Sequence, residues 1–281
     1  MTPEELYLDL LKKTLAFTLW PEPPMRIDAF NYLRPRWKRK LVSLVSNVLA
    51  SKNIALVKEF RPFTGGHPVT QEQRESGMIF PLYAETMIGL NRLSNIQYCV
   101  ETVLRDGVEG DLIETGVWRG GACIFMRAIL AAYADENRKV YVADSFEGLP
   151  KPNAGENPAD AGDKHYTQRF FAISKEEVEN NFKRYGLLDD KVVFLKGWFR
   201  DTLPSAPVKR LAVLRLDGDM YGSTMDALRY LYSKLSKGGF CIVDDYALPA
   251  CKLAVDEFRA ENKIVSEVMA VDWTGVYWRK D

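Results

Sequence analysis

From residue 111 to residue 262 the chain alternates between two hydrophobic periods, and no other feature limits its possible folds so strongly. Short runs rich in aliphatic and β-branched residues, at 111–114, 139–144, 192–196, 211–217 and 240–244, end in an acidic residue or run into glycine. Helical patterns fill the intervals at 121–136, 175–185, 223–235 and 249–262. Strands joined by helix-length crossovers pair in parallel, so the body is predicted to be α/β, a doubly wound Rossmann-like sheet. The last extended runs, 264–271 and 275–279, are separated only by Asp272-Trp273-Thr274. That gap is too short for a crossover helix and requires an antiparallel pair. The expectation is a seven-stranded, mostly parallel sheet closed by antiparallel strands.

With 281 residues the chain can form one large domain or two small ones. Residues 1–80 read as an N-terminal helical elaboration or lid, and 81–281 as the main domain. Thr2-Pro3-Glu4-Glu5 makes a capping box with proline in the first turn and predicts a helix over 3–19, ended by Pro21, Pro23 and Pro24. After Pro35, Lys38-Arg39-Lys40 opens an amphipathic stretch with Leu41, Leu44, Val45, Val48 and Leu49 on one face, expected to pack on the main domain. Over 83–104, Met87, Leu90, Leu93, Ile96, Val100 and Val103 predict helices, with Ser94-Asn95-Ile96-Gln97 as a second capping box between them.

Composition removes several classes of function. Lys plus Arg (38) balance Asp plus Glu (38), so no global field steers the chain toward nucleic acid or anionic lipid. A hydrophobic content of 47% with 27% charged residues excludes a disordered chain. Cys99, Cys123, Cys241 and Cys251 lie far apart with no C-x-x-C pair and read as reduced, buried thiols. There is no basic segment leading into an apolar one at the N-terminus and no run of about 18 apolar residues, so a cytoplasmic protein without a transmembrane segment is expected.

Open α/β sheets bind ligands beyond the carboxyl ends of their strands, so chemistry is read there. The first strand leads into Glu114-Thr115-Gly116-Val117-Trp118-Arg119-Gly120-Gly121. This loop lacks the G-x-G-x-x-G that seats a dinucleotide pyrophosphate, while Glu114 suits a cationic or amine-bearing ligand. The second strand ends in Asp144-Ser145-Phe146, whose carboxylate can accept both hydroxyls of a ribose. Asp217-Gly218-Asp219 follows the fourth strand and Asp244-Asp245 the fifth. If these strands are neighbours, four carboxylates converge, and a divalent cation is the simplest way to hold them ionised. Hard oxygen ligands favour Mg²⁺, with Mn²⁺ or Ca²⁺ as substitutes; the competing reading is a set of helix-capping aspartates. His67 and His165 read as loop hydrogen-bonders, and Ser145 and Ser223 lack a His/Asp relay. Residues 150–171, rich in Pro, Gly, Asn and Asp, are predicted to close over the substrate.

The stretches 110–121, 143–146 and 216–221, with Thr86-Met87-Ile88-Gly89-Leu90, Gly197-Trp198-Phe199 and Val243-Asp244-Asp245-Tyr246, resemble the macrocin O-methyltransferase family, the TylF type. The likeness begins at Leu6-Tyr7-Leu8-Asp9-Leu10-Leu11 and departs from the family pattern around 66–80. It implies the class I methyltransferase fold and transfer of a methyl group from S-adenosylmethionine to a hydroxyl of a sugar-containing small molecule, with Mg²⁺. By that resemblance Asp217, Asp244 and Asp245 hold the metal and Asp219 is the general base. Glu114, Thr115 and Gly116 line the methionine side, Asp144 takes the ribose, Ser145 and Trp198 the adenine, and Thr86 and Met87 close over the cofactor. Two other readings stay open: a nucleotide-sugar glycosyltransferase using Asp217-Gly218-Asp219 as a D-x-D motif, and a non-catalytic assembly protein that forms a homo-oligomer, a dimer, through 38–49.

Overall fold

The computed structural model describes residues 1–21, 23, 25–27, 35–58, 70–79 and 81–281; Pro24, His67 and, of the 66–80 divergence, residues 66–69 and 80 fall outside them. In chain order the elements are α1 (Pro3–Leu15), β1 (Met25–Arg26), α2 (Arg36–Ala50), β2 (Val57–Lys58), α3 (Gln71–Glu75), α4 (Leu90–Arg105), β3 (Asp111–Thr115), α5 (Gly121–Ala132) and β4 (Val140–Asp144). They continue as α6 (Lys175–Arg184), β5 (Val192–Lys196), α7 (Phe199–Thr202), β6 (Leu211–Leu216), α8 (Tyr221–Leu231), β7 (Leu235–Val243), α9 (Pro249–Glu261), β8 (Met269–Ala270) and β9 (Val276–Arg279). Seven strands form one sheet in the order β5-β4-β3-β6-β7-β9-β8, and a separate antiparallel pair joins β1 to β2. The pairs among β3 to β7 are parallel, whereas β9 runs antiparallel to both β7 and β8. The order reverses between β3 and β6, which puts the switch point, and hence the ligand crevice, at the ends of those two strands.

Side chains alternate across each strand, so Leu112 faces one core and Ile113 the other. The first core holds α1, α4 and α5 against the sheet; the second holds α8, α9 and Trp278. All four cysteines are buried free thiols inside these cores. Among the described residues no helix is long and apolar enough to cross a membrane.

Three expectations are corrected. The capping box forms, with Glu5 N–H donating to the Thr2 hydroxyl and Thr2 N–H to Glu5 Oε2, but α1 stops at Leu15 because Phe17 takes a left-handed conformation and Thr18 N–H closes onto Lys13 O at 2.8 Å. Prolines therefore do not end it. The 83–104 region contains one helix, α4, capped at Gly89; Ser94 sits inside it and accepts from Lys12 Nζ, because the apolar stripe through Leu93, Ile96, Val100 and Val103 is continuous. Strand β7 begins at Leu235 rather than at 240, because Leu235 already pairs with Leu211 of β6 before a register shift that brings Phe240 opposite Val213.

The N-terminal region divides in two. Leu8, Leu11 and Leu15 of α1 belong to the first core, so this helix shares the packing of the sheet domain. Helix α2 does not pack as expected: Leu41, Leu44, Val45 and Val48 are exposed, and Ser46 is its only buried residue among those described. Because Leu8 is 0% exposed, Leu8→Ala should lower unfolding free energy by about 3 kcal/mol in chemical denaturation. A loss near zero would mean that α1 is a detachable appendage.

Candidate active site

The site is assembled on an ion network beneath the strand ends. Arg215 points from β6 into the protein interior and is 1% exposed; so large a buried cation needs charged partners. Its Nη1 donates to Glu114 at the end of β3 and, at 2.7 Å, to Asp217 Oδ2, while its Nη2 donates to Asp244. Arg92, from α4, holds the other oxygen of Asp244 and reaches Asp272 Oδ2 at 3.0 Å. Burial alone would favour the neutral form of Arg215, yet the charges of Asp244, Asp217 and Glu114 outweigh it and keep the guanidinium ionised. Part of the charge problem expected from the sequence is thus solved by the protein's own arginines.

Glu114 accordingly faces away from any ligand. It is 2% exposed, its second oxygen accepts from Cys123 Sγ at 2.8 Å, and it does not line the cavity described below. The cation it binds is Arg215. Thr115 is buried beside it, with its hydroxyl on Arg215 O at 3.4 Å, and Thr86 is buried with its hydroxyl accepting from Ile88 N–H at 3.3 Å. Neither touches the cavity. Gly116 does, and its glycine identity is set by the sheet: at φ +89° an added Cβ would lie 1.7 Å from Asp217 O. The β3 loop and the β6 loop are therefore in backbone contact at the switch point.

Asp217, Asp244 and Asp245 offer oxygens that lie within 4.8 Å of one another, a donor set suited to a hard divalent cation. Asp219, at φ +56°, donates its N–H to Asp245 Oδ2 at 3.1 Å, which ties the two loops together. Among the described residues Asp219 and Asp245 form an ion pair with no basic side chain. Burial, then the charge of Asp217, pushes Asp219 up to about 7. Burial followed by the charge of Asp219 lifts Asp245 well above the usual carboxylate range, and burial with Asp244 raises Asp217. These carboxylates fit a divalent cation both in chemistry and in the charge they leave unbalanced.

A cavity of about 380 Å³ joins these groups to the ends of β4 and β5. Its walls include Met87, Gly116, Asp144, Ser145, Trp198, Asp217 and Asp219, so seven of the sequence-derived site residues meet in one space. Asp244 and Asp245 lie outside its lining. The Asp144 carboxylate accepts from Val117 N–H at 2.8 Å and Phe146 N–H at 2.7 Å, which fixes its orientation and leaves further lone pairs for a ligand. Ser145 is committed locally, donating to Gly148 O at 2.7 Å and accepting from Glu147 N–H at 3.0 Å. Trp118, Phe146 and Asp219 all have positive φ and all follow strand ends, so backbone strain collects around the cavity.

Sequence reading passed over several contributors. Arg215 carried a visible signal, a lone charge inside the apolar run of β6, whereas Arg92 looked like any polar residue of an amphipathic helix. The 150–171 segment supplies Lys151, Asn153, Glu156, Asn157 and Asp160 to the lining of the cavity.

Proton linkage gives a test of the carboxylate cluster. Burial also drives Glu114 up to about 7, against ordinary values of 4.5 for Glu and 3.8 for Asp. The folded, metal-free protein therefore keeps protons on Glu114 and Asp219 that the unfolded chain has already lost, and this stabilisation is lost as pH rises from about 4.5 to about 7. Thermal melts should show metal-free stability falling across that window and Mg²⁺ flattening the slope. A slope indifferent to Mg²⁺ would contradict the assignment of the cluster.

Comparison with known proteins agrees with this geometry. The family described as Macrocin-O-methyltransferase (TylF) matches residues 4–280. Mycinamicin III 3''-O-methyltransferase of Micromonospora griseorubida is 56% identical over 283 residues, covering 99% of this chain and 98% of that protein. Demethyldecarbamoylnovobiocin O-methyltransferase of Streptomyces niveus is 45% identical over 280 residues, covering 98% and 93%. The solved structure of the O-methyltransferase NovP superposes with a TM-score of 0.79 at 44% identity and 99% coverage of both chains. The calicheamicin methyltransferase CalS11, 18% identical with a TM-score of 0.56 over 88% of this chain and 94% of its own, shares the class I methyltransferase fold. Matches that run nearly end to end show that the chain belongs to the macrocin O-methyltransferase (TylF) family and is an O-methyltransferase.

Proposed function

We propose that this enzyme moves the methyl group of S-adenosylmethionine to a sugar hydroxyl of a glycosylated natural product, with Mg²⁺ at the acceptor. The observation that carries the reading is a single cavity running from Asp144 and Trp198, suited to a nucleoside, to Asp217 and Asp219 at the carboxylate cluster. The relatives support the substrate class by name: one methylates mycinamicin III at a 3''-oxygen, and another, 46% identical and from Streptomyces olivaceus, acts on a rhamnosyl-bearing tetracenomycin. A glycosyltransferase using Asp217-Gly218-Asp219 would leave Asp244 and Asp245 without a role, and family membership disfavours it.

In this reading Asp144 takes the ribose hydroxyls, Ser145 and Trp198 border the adenine, and Gly116 and Met87 border the methionine half. Glu114, Thr115 and Thr86 act from behind, by fixing the backbone on which the cavity is built. S-Adenosylmethionine supplies an electrophilic methyl group. Asp217, Asp244 and Asp245 would hold Mg²⁺, which would lower the pKa of an acceptor hydroxyl too weakly acidic for a carboxylate alone. Asp219 then accepts the hydroxyl proton; with no cation partner among the described residues and a proton affinity set near neutrality by burial, it is matched to that task. Arg215 and Arg92 hold both oxygens of Asp244 and orient it. Residues 81–281 carry all of these groups, and 1–80 is appended to them with α1 in the shared core.

Calorimetric titration with S-adenosylmethionine, with Mg²⁺ and then with a chelator, should give micromolar binding in both conditions, because the proposed metal ligands lie at the acceptor end. No binding in either condition would overturn the reading. Asp219→Asn suits the positive φ at that position and should lower kcat by about 10²- to 10⁴-fold while cofactor affinity stays within about two-fold. Methylation assays against sugar diols measure it, and retained turnover would remove Asp219 from the base role.

A further inference from the structure

Helix α8 starts two residues after Asp219, and its own sequence gives it no cap: Met220 occupies the N-cap position without a side-chain hydrogen bond. The cap comes from far away in the chain. Asp160, in the 3-10 turn Pro158–Asp160, is 4% exposed; its Oδ1 accepts from Tyr221 N–H at 2.7 Å and its Oδ2 from Gly222 N–H at 3.0 Å. A carboxylate there meets both the free amides and the positive end of the helix. The approach is close: a Cβ on Gly222 would lie 2.6 Å from Asn157 Nδ2. At its other end the same segment is fastened to the β3 loop, where Trp118 Nε1 donates to Phe170 O at 3.0 Å and the two rings lie 5.1 Å apart. Just ahead of the Asp160 fixing, Glu156 and Asn157 line the same cavity as Asp144 and Trp198.

We infer that Asp160 is a positioning residue that pins the 150–171 segment as a roof over the cofactor cavity, so that departure of S-adenosylhomocysteine requires this cap to open. The inference rests on the methyltransferase reading above for the identity of the ligand, but the pin itself does not. Both bonds are charge-assisted and out of bulk water, so their loss should be felt strongly at the roof. Because α8 begins beside Asp219, the same contact sets the roof at a fixed distance from the proposed base.

The test uses the full-length protein and S-adenosylhomocysteine as the probe. Its dissociation rate is read by stopped-flow displacement, through the fluorescence of Trp118 and Trp198 at the cavity, alongside trypsin cleavage after Lys164 and Arg169. Asp160→Ala should speed dissociation about ten-fold or more and expose both cleavage sites; Asp160→Asn, which keeps one acceptor oxygen, should fall between. Gly222→Ala should reproduce the effect by pushing Asn157 away from the opposite side, and it decides the matter if the Asp160 variants do not fold. Dissociation within two-fold of wild type in a folded variant would overturn the proposal, as would a fall in thermal stability with unchanged release. If wild-type protein binds no S-adenosylhomocysteine, the proposed function fails, and the cleavage rates alone then decide whether Asp160 holds the roof.

Discussion

The guanidinium of Arg215 is the interaction on which the remainder of the site depends. It stands inside the sheet on β6 and bonds to carboxylates at the ends of β3, β6 and β7 through Glu114, Asp217 and Asp244. Removing such a cation would leave several buried negative charges facing one another, at a cost of several kcal/mol. The network therefore acts structurally and chemically at once. It binds three neighbouring strands together at the crevice, and it holds Asp217 and Asp244 in place where a divalent cation would need them. Arg92 extends the same logic to α4 and to Asp272 in the turn before β9.

Above this layer the charge balance changes. Asp219 lines the crevice with Asp245 bonded to its N–H, neither pairs with a basic side chain among the described residues, and burial raises both. A site built this way stores proton affinity at the proposed base and negative charge where the proposed metal would bind. The backbone shares in it: the close approach of Gly116 to Asp217 O and the bond from Asp219 N–H to Asp245 fix the β3, β6 and β7 loops relative to one another. Preorganisation of this kind is what positions reacting atoms without reorganisation during the reaction.

Much of the fold was legible because hydrophobic period reports directly on local structure. The parallel strands, the four crossover helices and the antiparallel terminal pair follow from 2- and 3.6-residue repeats and from the length of the Asp272-Trp273-Thr274 gap. Errors arose where a local signal competed with packing. Ser94 fits a capping box, yet the continuous stripe of α4 overrode it; the apolar run marks a strand from 240, yet pairing with β6 already begins at Leu235. The apolar face of α2 obeys the helical period but finds no cover among the described residues, since period alone says nothing about a partner.

The sequence by itself determined which residue types stand after each strand: a glycine loop after β3, Asp144 after β4, Trp198 after β5, Asp217 and Asp219 after β6, and Asp244-Asp245 after β7. Chain direction and strand periodicity are local properties, and crevice chemistry at strand ends follows from them. Only the tertiary structure decided what each carboxylate faces. Glu114 turned inward to Arg215, Asp144 turned to the Val117 and Phe146 amides and to the cavity, and Asp160 travelled to cap a helix that its own neighbourhood does not contain. Partners of that kind are set by distances between segments far apart in the chain. The charge and hydrogen-bond demands of a buried group can be met by any such segment that folding brings near, and a one-dimensional pattern does not record which one arrives.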